Sequence, residues 1–322
     1  MKFSVVALCM VVALAGEHAQ AARWQPSPGH TQISIWPGTP PDDMPMPGPE
    51  SSGIVQKNVG GRPWTYATNI SVPTMTVYSP RRRNTGAAVL VLPGGGFEVL
   101  AIDLEGTEVC DWLTSRGITC VLLKYRVPSE PYDQKCDCRP DNLATSTRSL
   151  EDAQRTIGLM RLQARKLHID PHEIGVLGFS AGGYLAAEIS TRYKKRLYAP
   201  IDEADKQSAR PDFAVLVYPG HLATGDKPGR LATGENGLNP NVPVTSDTPP
   251  TFLVQAENDN TDGVIQSLVY SAALRKAGAK VELHLYAEGG HAFGLRHTAL
   301  PITDWPRLVE IWLHSIGMIQ EK

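Results

Sequence analysis

One serine in this sequence lies in a setting that favours nucleophilic chemistry. Ser180 is at the centre of the motif G-F-S-A-G-G, residues 178–183, which follows a short apolar run and precedes a helical pattern. Glycines on both sides of the serine permit a tight strand-to-helix turn, and the new helix directs its first N–H groups towards the hydroxyl. The sequence therefore predicts that Ser180 is a nucleophile.

A serine nucleophile needs a general base and an acid that orients this base. His291 lies in the glycine-rich loop G-G-H-A-F-G, residues 289–294, which follows the last apolar run. Such a loop lets an imidazole reach the end of a sheet, and we predict that His291 is the base. The other histidines considered lie within a predicted strand, ahead of the nucleophile strand or beyond the glycine loop: His284, His168, His172 and His297.

The acid should follow the strand that precedes the histidine loop. Three carboxylates compete there, Glu257, Asp259 and Asp262. Asp259 is favoured because it lies three residues beyond the predicted strand end, where a short loop can carry it beneath His291. Asp262 is the alternative acid, although its position just before a predicted helix suits an N-cap.

Negative charge that forms on an attacked ester carbonyl requires fixed hydrogen-bond donors. The run P-G-G-G-F, residues 93–97, follows another apolar run and lets backbone N–H groups approach a substrate closely. We predict that Gly95, Gly96 and Ala181, the residue after the nucleophile, form the oxyanion hole. A nucleotide-binding role for these glycines is disfavoured, since neither G-x-G-x-x-G nor a following Lys-Ser/Thr pair is present.

Short apolar runs that alternate with helical patterns must position these residues. The predicted strands are residues 74–78, 87–92, 118–125, 174–179, 213–218, 251–256 and 281–286. Helical faces are predicted over residues 150–167, 265–278 and 305–316. Since most of the runs are nearly continuous and no repeat or linker interrupts them, they predict one α/β domain. Its central sheet is mostly parallel, helices cover both faces, and the chemistry lies at the C-terminal ends of the strands.

The N-terminus has the pattern of a cleavable leader. Lys2 precedes the apolar run 5–15, and Ala19 and Ala21 are the small residues that a signal peptidase requires. The run is too short to cross a bilayer, which needs roughly 20 apolar residues. We therefore expect residues 1–21 to be a signal peptide and the protein to be secreted or periplasmic.

The rest of the chain is predicted to consist of an N-terminal extension, residues 22–72, and a catalytic domain, residues 73–322. Residues 23–79 are rich in Pro, Gly and polar residues and contain one convincing strand, so we expect a wrapping arm or an edge hairpin. Two long loops, residues 127–147 and 221–250, are expected to shape the pocket.

Composition argues against several functions. The 31 Lys and Arg residues nearly balance 33 Asp and Glu, so no field of one sign attracts nucleic acid or an acidic membrane.

Four cysteines follow the leader, Cys110, Cys120, Cys136 and Cys138, and export would allow any of three pairings. A pair in the C-x-C motif would stiffen one wall of the pocket. No second Cys or His pair at the spacing of a zinc finger accompanies this motif, so neither a metal nor another cofactor is expected.

Five short motifs together resemble those of the α/β-hydrolase superfamily and, more narrowly, of its bacterial acetyl/feruloyl esterase-like (acetylxylan esterase-like) group. In chain order they are P-G-G-G-F at 93–97, L-E-G at 104–106, K-Y-R-V-P at 124–128, G-F-S-A-G-G at 178–183 and G-G-H-A-F-G at 289–294. This group is related to hormone-sensitive-lipase-like esterases and to the catalytic domain of prolyl oligopeptidases. The resemblance implies an α/β-hydrolase fold and a serine esterase that acts on small or polysaccharide esters, often acetylated xylan.

Departures from the group pattern are informative. Pro93 stands where lipase-like members have His, which favours the acetyl-esterase-like branch, and the acid loop lacks the usual Val-Pro, which keeps Asp262 as a candidate. We interpret Glu105 as a residue that holds the glycine loop or caps a helix.

The alternative functions are a general short-chain esterase, a prolyl-oligopeptidase-like peptidase and a non-catalytic binding protein. A peptidase is disfavoured because the chain is too short to include a gating propeller.

Overall fold

The computed structural model describes residues 22–128, 147–224 and 237–320. The predicted signal peptide and the C-x-C motif lie outside these residues. The described part contains eleven strands: β1 (Gln32–Ser34), β2 (Ser51–Val59), β3 (Arg62–Thr68), β4 (Thr74–Tyr78), β5 (Ala88–Leu92), β6 (Val99–Leu100), β7 (Thr119–Lys124), β8 (Ile174–Phe179), β9 (Ala214–Val217), β10 (Thr251–Ala256) and β11 (Val281–Tyr286).

Helices connect the strands of the second half of the chain. In the same described ranges the α-helices are α1 (Glu108–Ser115), α2 (Thr147–Leu162), α3 (Ala164–Leu167), α4 (Ala181–Thr191), α5 (Ile265–Ala277) and α6 (Trp305–Ser315). Helix α5 ends at Gly278, whose φ of +81° is the left-handed conformation that glycine adopts readily at a helix end.

Eight strands form one twisted sheet in the order β1-β4-β7-β5-β8-β9-β10-β11. Strands β1, β4 and β7 pair in an antiparallel manner, and all pairs from β7 to β11 are parallel. Every residue of β5, β7, β8 and β10 is buried, which requires cover on both faces of the sheet. The predicted α/β class and the mostly parallel sheet are thus confirmed.

The register of the sheet brings the predicted site loops together. Leu92 at the end of β5 pairs with Gly178 of β8, so the glycine run after β5 emerges beside Ser180. Ala256 at the end of β10 pairs with Tyr286 at the end of β11, which places the acid loop beside the histidine loop. All four segments leave the sheet at its C-terminal edge.

The N-terminal segment contains more regular structure than the sequence analysis predicted. Residues 23–79 include β1 and the hairpin β2–β3 as well as β4, so the expectation of a single convincing strand is wrong. The hairpin turns at Gly60 and Gly61, both with positive φ, and pairs with β6 in a separate three-stranded sheet. These strands are only partly buried, and they therefore lack the continuous apolar runs that identified the others.

One disulfide joins a helix to the central sheet. Cys110 of α1 is bonded to Cys120 of β7, and both residues are fully buried. This is one of the pairs that the sequence left open. In the part of the chain that the structure describes, no helix has both the length and the apolar character needed to cross a membrane.

Candidate active site

Ser180 lies at a sharp turn between β8 and α4. Its φ of 49° and ψ of −120° are unfavourable for a residue with a side chain, and the tight turn requires glycine two residues before and two residues after the serine. A Cβ atom on Gly178 would lie 2.0 Å from the Gly182 carbonyl oxygen, and one on Gly182 would lie 2.1 Å from the Leu92 carbonyl oxygen. The turn presents the serine hydroxyl above the end of the sheet.

His291 bridges Ser180 and Asp259. Its Nε2 lies 2.9 Å from the Ser180 Oγ, and its Nδ1 lies 2.8 Å from the Asp259 Oδ2. Paired glycines precede the histidine, and the amide groups of Gly289 and Gly290 both donate to the Asn258 side-chain oxygen, at 3.0 and 2.8 Å. The structure therefore brings the three predicted residues into one hydrogen-bonded chain.

Asp262 occupies a different place from the one expected of a triad acid. Its Oδ2 lies 3.3 Å from the Ser180 Oγ and 3.8 Å from the Nε2 of His291, on the serine side of the imidazole. The Nδ1 of the ring is bonded to Asp259 instead. Geometry thus favours Asp259 as the acid and leaves Asp262 as a second carboxylate beside the nucleophile.

The charges around His291 raise its pKa. Burial alone would lower the pKa of this imidazole, but the hydrogen bond with Asp259 and the negative charges of Asp262, Asp259 and Glu105 outweigh this effect. The same charges favour the protonated, imidazolium form of His291.

The glycine run after β5 lies against the nucleophile. A Cβ atom on Gly94 would lie 2.9 Å from the Ser180 Cβ, so only glycine permits this approach. Gly95 and Gly96 have φ values of +132° and +64°, and within the described ranges their N–H groups have no hydrogen-bond acceptor. The N–H of Ala181, in the first turn of α4, lacks an intrahelical acceptor. The role of these three amides as oxyanion donors remains a prediction.

Glu105 holds this glycine run in place by hydrogen bonds. Its carboxylate accepts hydrogen bonds from the Gly94 N–H at 2.7 Å and from the Tyr218 hydroxyl at 2.8 Å. The predicted role of Glu105 in holding the loop by hydrogen bonds is confirmed. Burial raises the pKa of Glu105, although the bonds from Tyr218 and Gly94 oppose this shift.

Tyr218 connects the two halves of the site and was missed by the sequence analysis. Its hydroxyl also accepts a bond from the Gly294 N–H at 3.1 Å, and its ring lies 4.8 Å from that of His291. Burial raises the pKa of Tyr218 well above 10, so its hydroxyl stays a donor to Glu105. Its position directly after β9 was the only available signal.

The site offers no grouping of metal ligands. Among residues 22–128, 147–224 and 237–320, no three His, Cys, Asp or Glu side chains are arranged to hold a metal ion. The chemistry that the described side chains support is acyl transfer by a hydrogen-bonded serine.

Comparisons with known proteins agree with this fold. A family model described as the prolyl oligopeptidase family matches residues 148–313, and a second, described as BD-FAE, matches residues 75–218. The solved acetyl ester-xyloside bifunctional hydrolase from Caldicellulosiruptor lactoaceticus is 32% identical, with a TM-score of 0.67 over 90% of this chain and 97% of that one. The α/β hydrolase MGS-M1, from a deep-sea metagenome library, is 24% identical, with a TM-score of 0.54 over 83% of this chain and 98% of its own.

An acetylxylan esterase from Xylanibacter ruminicola is 28% identical over 220 residues, which are 65% of this chain. The chain spans only 42% of the length of that relative. The match to the prolyl oligopeptidase family model covers more than half of this chain. The solved hydrolase from Caldicellulosiruptor lactoaceticus aligns with 90% of this chain. With its serine turn, its mostly parallel sheet and these matches, the chain belongs to the prolyl oligopeptidase family of α/β-hydrolases.

Proposed function

We propose that this protein is a secreted serine carboxylesterase that removes acyl groups, in particular acetyl groups, from plant polysaccharides such as xylan. The observation that carries the proposal is the hydrogen-bonded chain from the Ser180 Oγ through His291 to Asp259. The names of two similar proteins, an acetylxylan esterase and an acetyl ester-xyloside hydrolase, support the substrate class. Export rests on the leader pattern of residues 1–21.

The proposed reaction has two steps. Ser180 attacks the ester carbonyl as His291 takes its hydroxyl proton, and the resulting oxyanion is bound by the N–H groups of Gly95, Gly96 and Ala181. His291 then gives the proton to the departing alcohol, which leaves an acyl group on the serine. Water, deprotonated by the same imidazole, attacks this acyl-enzyme and releases the carboxylic acid. Throughout, Asp259 keeps the Nδ1 proton in place.

The test compares three substrates: acetylated xylan, a short-chain aryl ester such as para-nitrophenyl acetate, and a prolyl amide. The proposal expects acetate release from xylan and a loss of about 10⁴-fold or more in kcat for Ser180→Ala. Activity of the Ser180→Ala variant within about tenfold of the native enzyme would remove the nucleophile assignment.

The substrate pattern separates the remaining candidates. Hydrolysis of the aryl ester without the polysaccharide would indicate a general short-chain esterase. The family match over residues 148–313 makes a prolyl-specific peptidase the second candidate, and cleavage of the prolyl amide alone would favour it.

A further inference from the structure

The carboxylate of Asp262 is not used in the proposed triad, yet it lies in direct contact with the Ser180 hydroxyl. Its Oδ2 lies 3.3 Å from the Ser180 Oγ, whereas Asp259 contacts only the far side of the imidazole. An ester that reacts with Ser180 must place its carbonyl carbon about 3–3.5 Å from the same Oγ. Any bound substrate therefore comes close to Asp262.

The backbone holds Asp262 firmly at this place. Its N–H donates to the Asp259 Oδ1 at 3.0 Å, and its carbonyl oxygen accepts from the Gln255 Nε2 at 2.5 Å. The residue is only 7% exposed, so its side chain has little freedom to turn away from the serine.

Gly220 leaves the space that this carboxylate occupies. A Cβ atom on Gly220 would lie 2.6–2.8 Å from the carboxyl carbon and both oxygens of Asp262, and the Gly220 N–H donates to the Ser180 carbonyl at 3.3 Å. The carboxylate is thus enclosed between the nucleophile and the glycine backbone. In the described ranges, the only hydrogen-bonding contact of this carboxylate is with the Ser180 Oγ, whose single proton is donated either to Asp262 or to the His291 Nε2.

We propose that Asp262 is a specificity-determining residue that selects neutral esters and rejects esters with a negative charge near the reacting carbonyl. The physical reason is repulsion between two like charges in a partly desolvated cleft. This inference rests on the proposed esterase function and names its substrate class. Acetyl groups on neutral sugars are accepted, and esters adjacent to carboxylates, such as those of uronic acids, are disfavoured.

Two matched pairs of esters test the proposal. On the alcohol side, methyl para-acetoxybenzoate is neutral and para-acetoxybenzoate carries a carboxylate. On the acyl side, methyl levulinate is neutral and monomethyl succinate is its anionic, nearly isosteric counterpart. For each pair, kcat/KM is measured in the native protein and in Asp262→Asn, with acetate or methanol release as the readout.

In at least one pair the native protein should prefer the neutral ester, and Asp262→Asn should reduce this preference by about 10- to 100-fold. That range is expected for like charges about 6–12 Å apart near a protein surface. Because each preference is a ratio of two kcat/KM values in the same variant, a change in the activity of that variant towards both esters does not alter it. Asp262→Ser, a second neutral replacement, should act in the same direction.

Glu257→Gln is the matched control, because it removes an exposed carboxylate from the same loop. Its neutral-to-anionic ratios should equal those of the native protein. Equal ratios in the native protein and Asp262→Asn for both pairs, or an equally large change in Glu257→Gln, would overturn the inference while leaving the esterase function intact. No hydrolysis of any neutral ester would remove the function and this inference together.

Discussion

Replacing Asp259 by Asn should trap His291 in the wrong tautomer. The Oδ1 of Asp259 accepts the N–H groups of Thr261 and Asp262, at 2.9 and 3.0 Å, while its Oδ2 faces the His291 Nδ1 at 2.8 Å. An asparagine in this place keeps its oxygen towards the two amide donors, so its NH₂ group points at the imidazole. The Nδ1 then becomes an acceptor, the proton moves to Nε2, and the ring cannot take a proton from Ser180.

The size of the effect follows from the cost of the opposite orientation. Turning the amide so that its oxygen faces His291 leaves the buried N–H of Asp262 without an acceptor, at about 1–3 kcal/mol, and the partly buried N–H of Thr261, at about 1 kcal/mol or less. Since 1.36 kcal/mol corresponds to a factor of ten in rate, this cost of about 1–4 kcal/mol alone lowers kcat by about 5- to 10³-fold. The loss of the charge that stabilises the imidazolium adds to it, and we expect a fall of about 10³-fold or more.

The assay follows the hydrolysis of para-nitrophenyl acetate to obtain kcat, with ¹⁵N spectra of labelled histidine to identify the tautomer and thermal unfolding to verify the fold. Asp262→Asn is the comparison, since the structure places its carboxylate away from Nδ1, and it should retain kcat within about tenfold. If Asp259→Asn retained that much activity and Asp262→Asn lost it, the assignment of the acid would be refuted.

Three further predictions concern the surroundings of the site. Glu105→Gln replaces an acceptor of two hydrogen bonds by a group that must place a donor against one of them, and kcat should fall about 10- to 100-fold with a smaller change in KM. Asp262→Asn should move the acidic limb of the kcat/KM profile to lower pH, because the Asp262 carboxylate raises the pKa of His291 and only neutral His291 accepts a proton. A limb that does not move would contradict the contact between Asp262 and His291. Replacing Cys110 and Cys120 by Ala removes a disulfide between residues 10 positions apart and should lower the free energy of unfolding by about 2–3 kcal/mol. The measurement is the unfolding temperature, which should be lower than that of the native protein and should no longer change when reducing agent is added.

Most of the central sheet could be predicted because β5, β7, β8, β9 and β10 are buried along their whole length. Burial of this kind requires nearly continuous apolar runs, and each of the seven predicted strands is present with ends that agree to within a residue. The glycine-rich loops around Ser180 and His291 were also visible, because glycine marks places where the backbone turns sharply or approaches closely. Both signals are local in the sequence.

The sequence favours Asp259 and keeps Asp262 as the alternative acid. Both residues follow the same strand. Which of them reaches His291 depends on the conformation of the loop, in which the Asp259 side chain accepts hydrogen bonds from two backbone N–H groups. The bond between Glu105 and Tyr218 joins residues that are 113 positions apart, and no spacing rule connects them. Partners across a fold become visible only when the sheet register is known.

Arg296 shows how the N-terminal hairpin contributes to the site. This buried arginine, just after the His291 loop, donates through its Nε and Nη2 to Glu108 and through its Nη1 to the carbonyl oxygens of Val59, Arg62 and Pro63. Strand β3 of the same hairpin pairs with β6, which follows the oxyanion loop. The hairpin therefore contacts the segments that carry both the predicted base and the predicted oxyanion donors. A segment that composition describes as a polar extension is, by its hydrogen bonds, part of the support that holds these two loops.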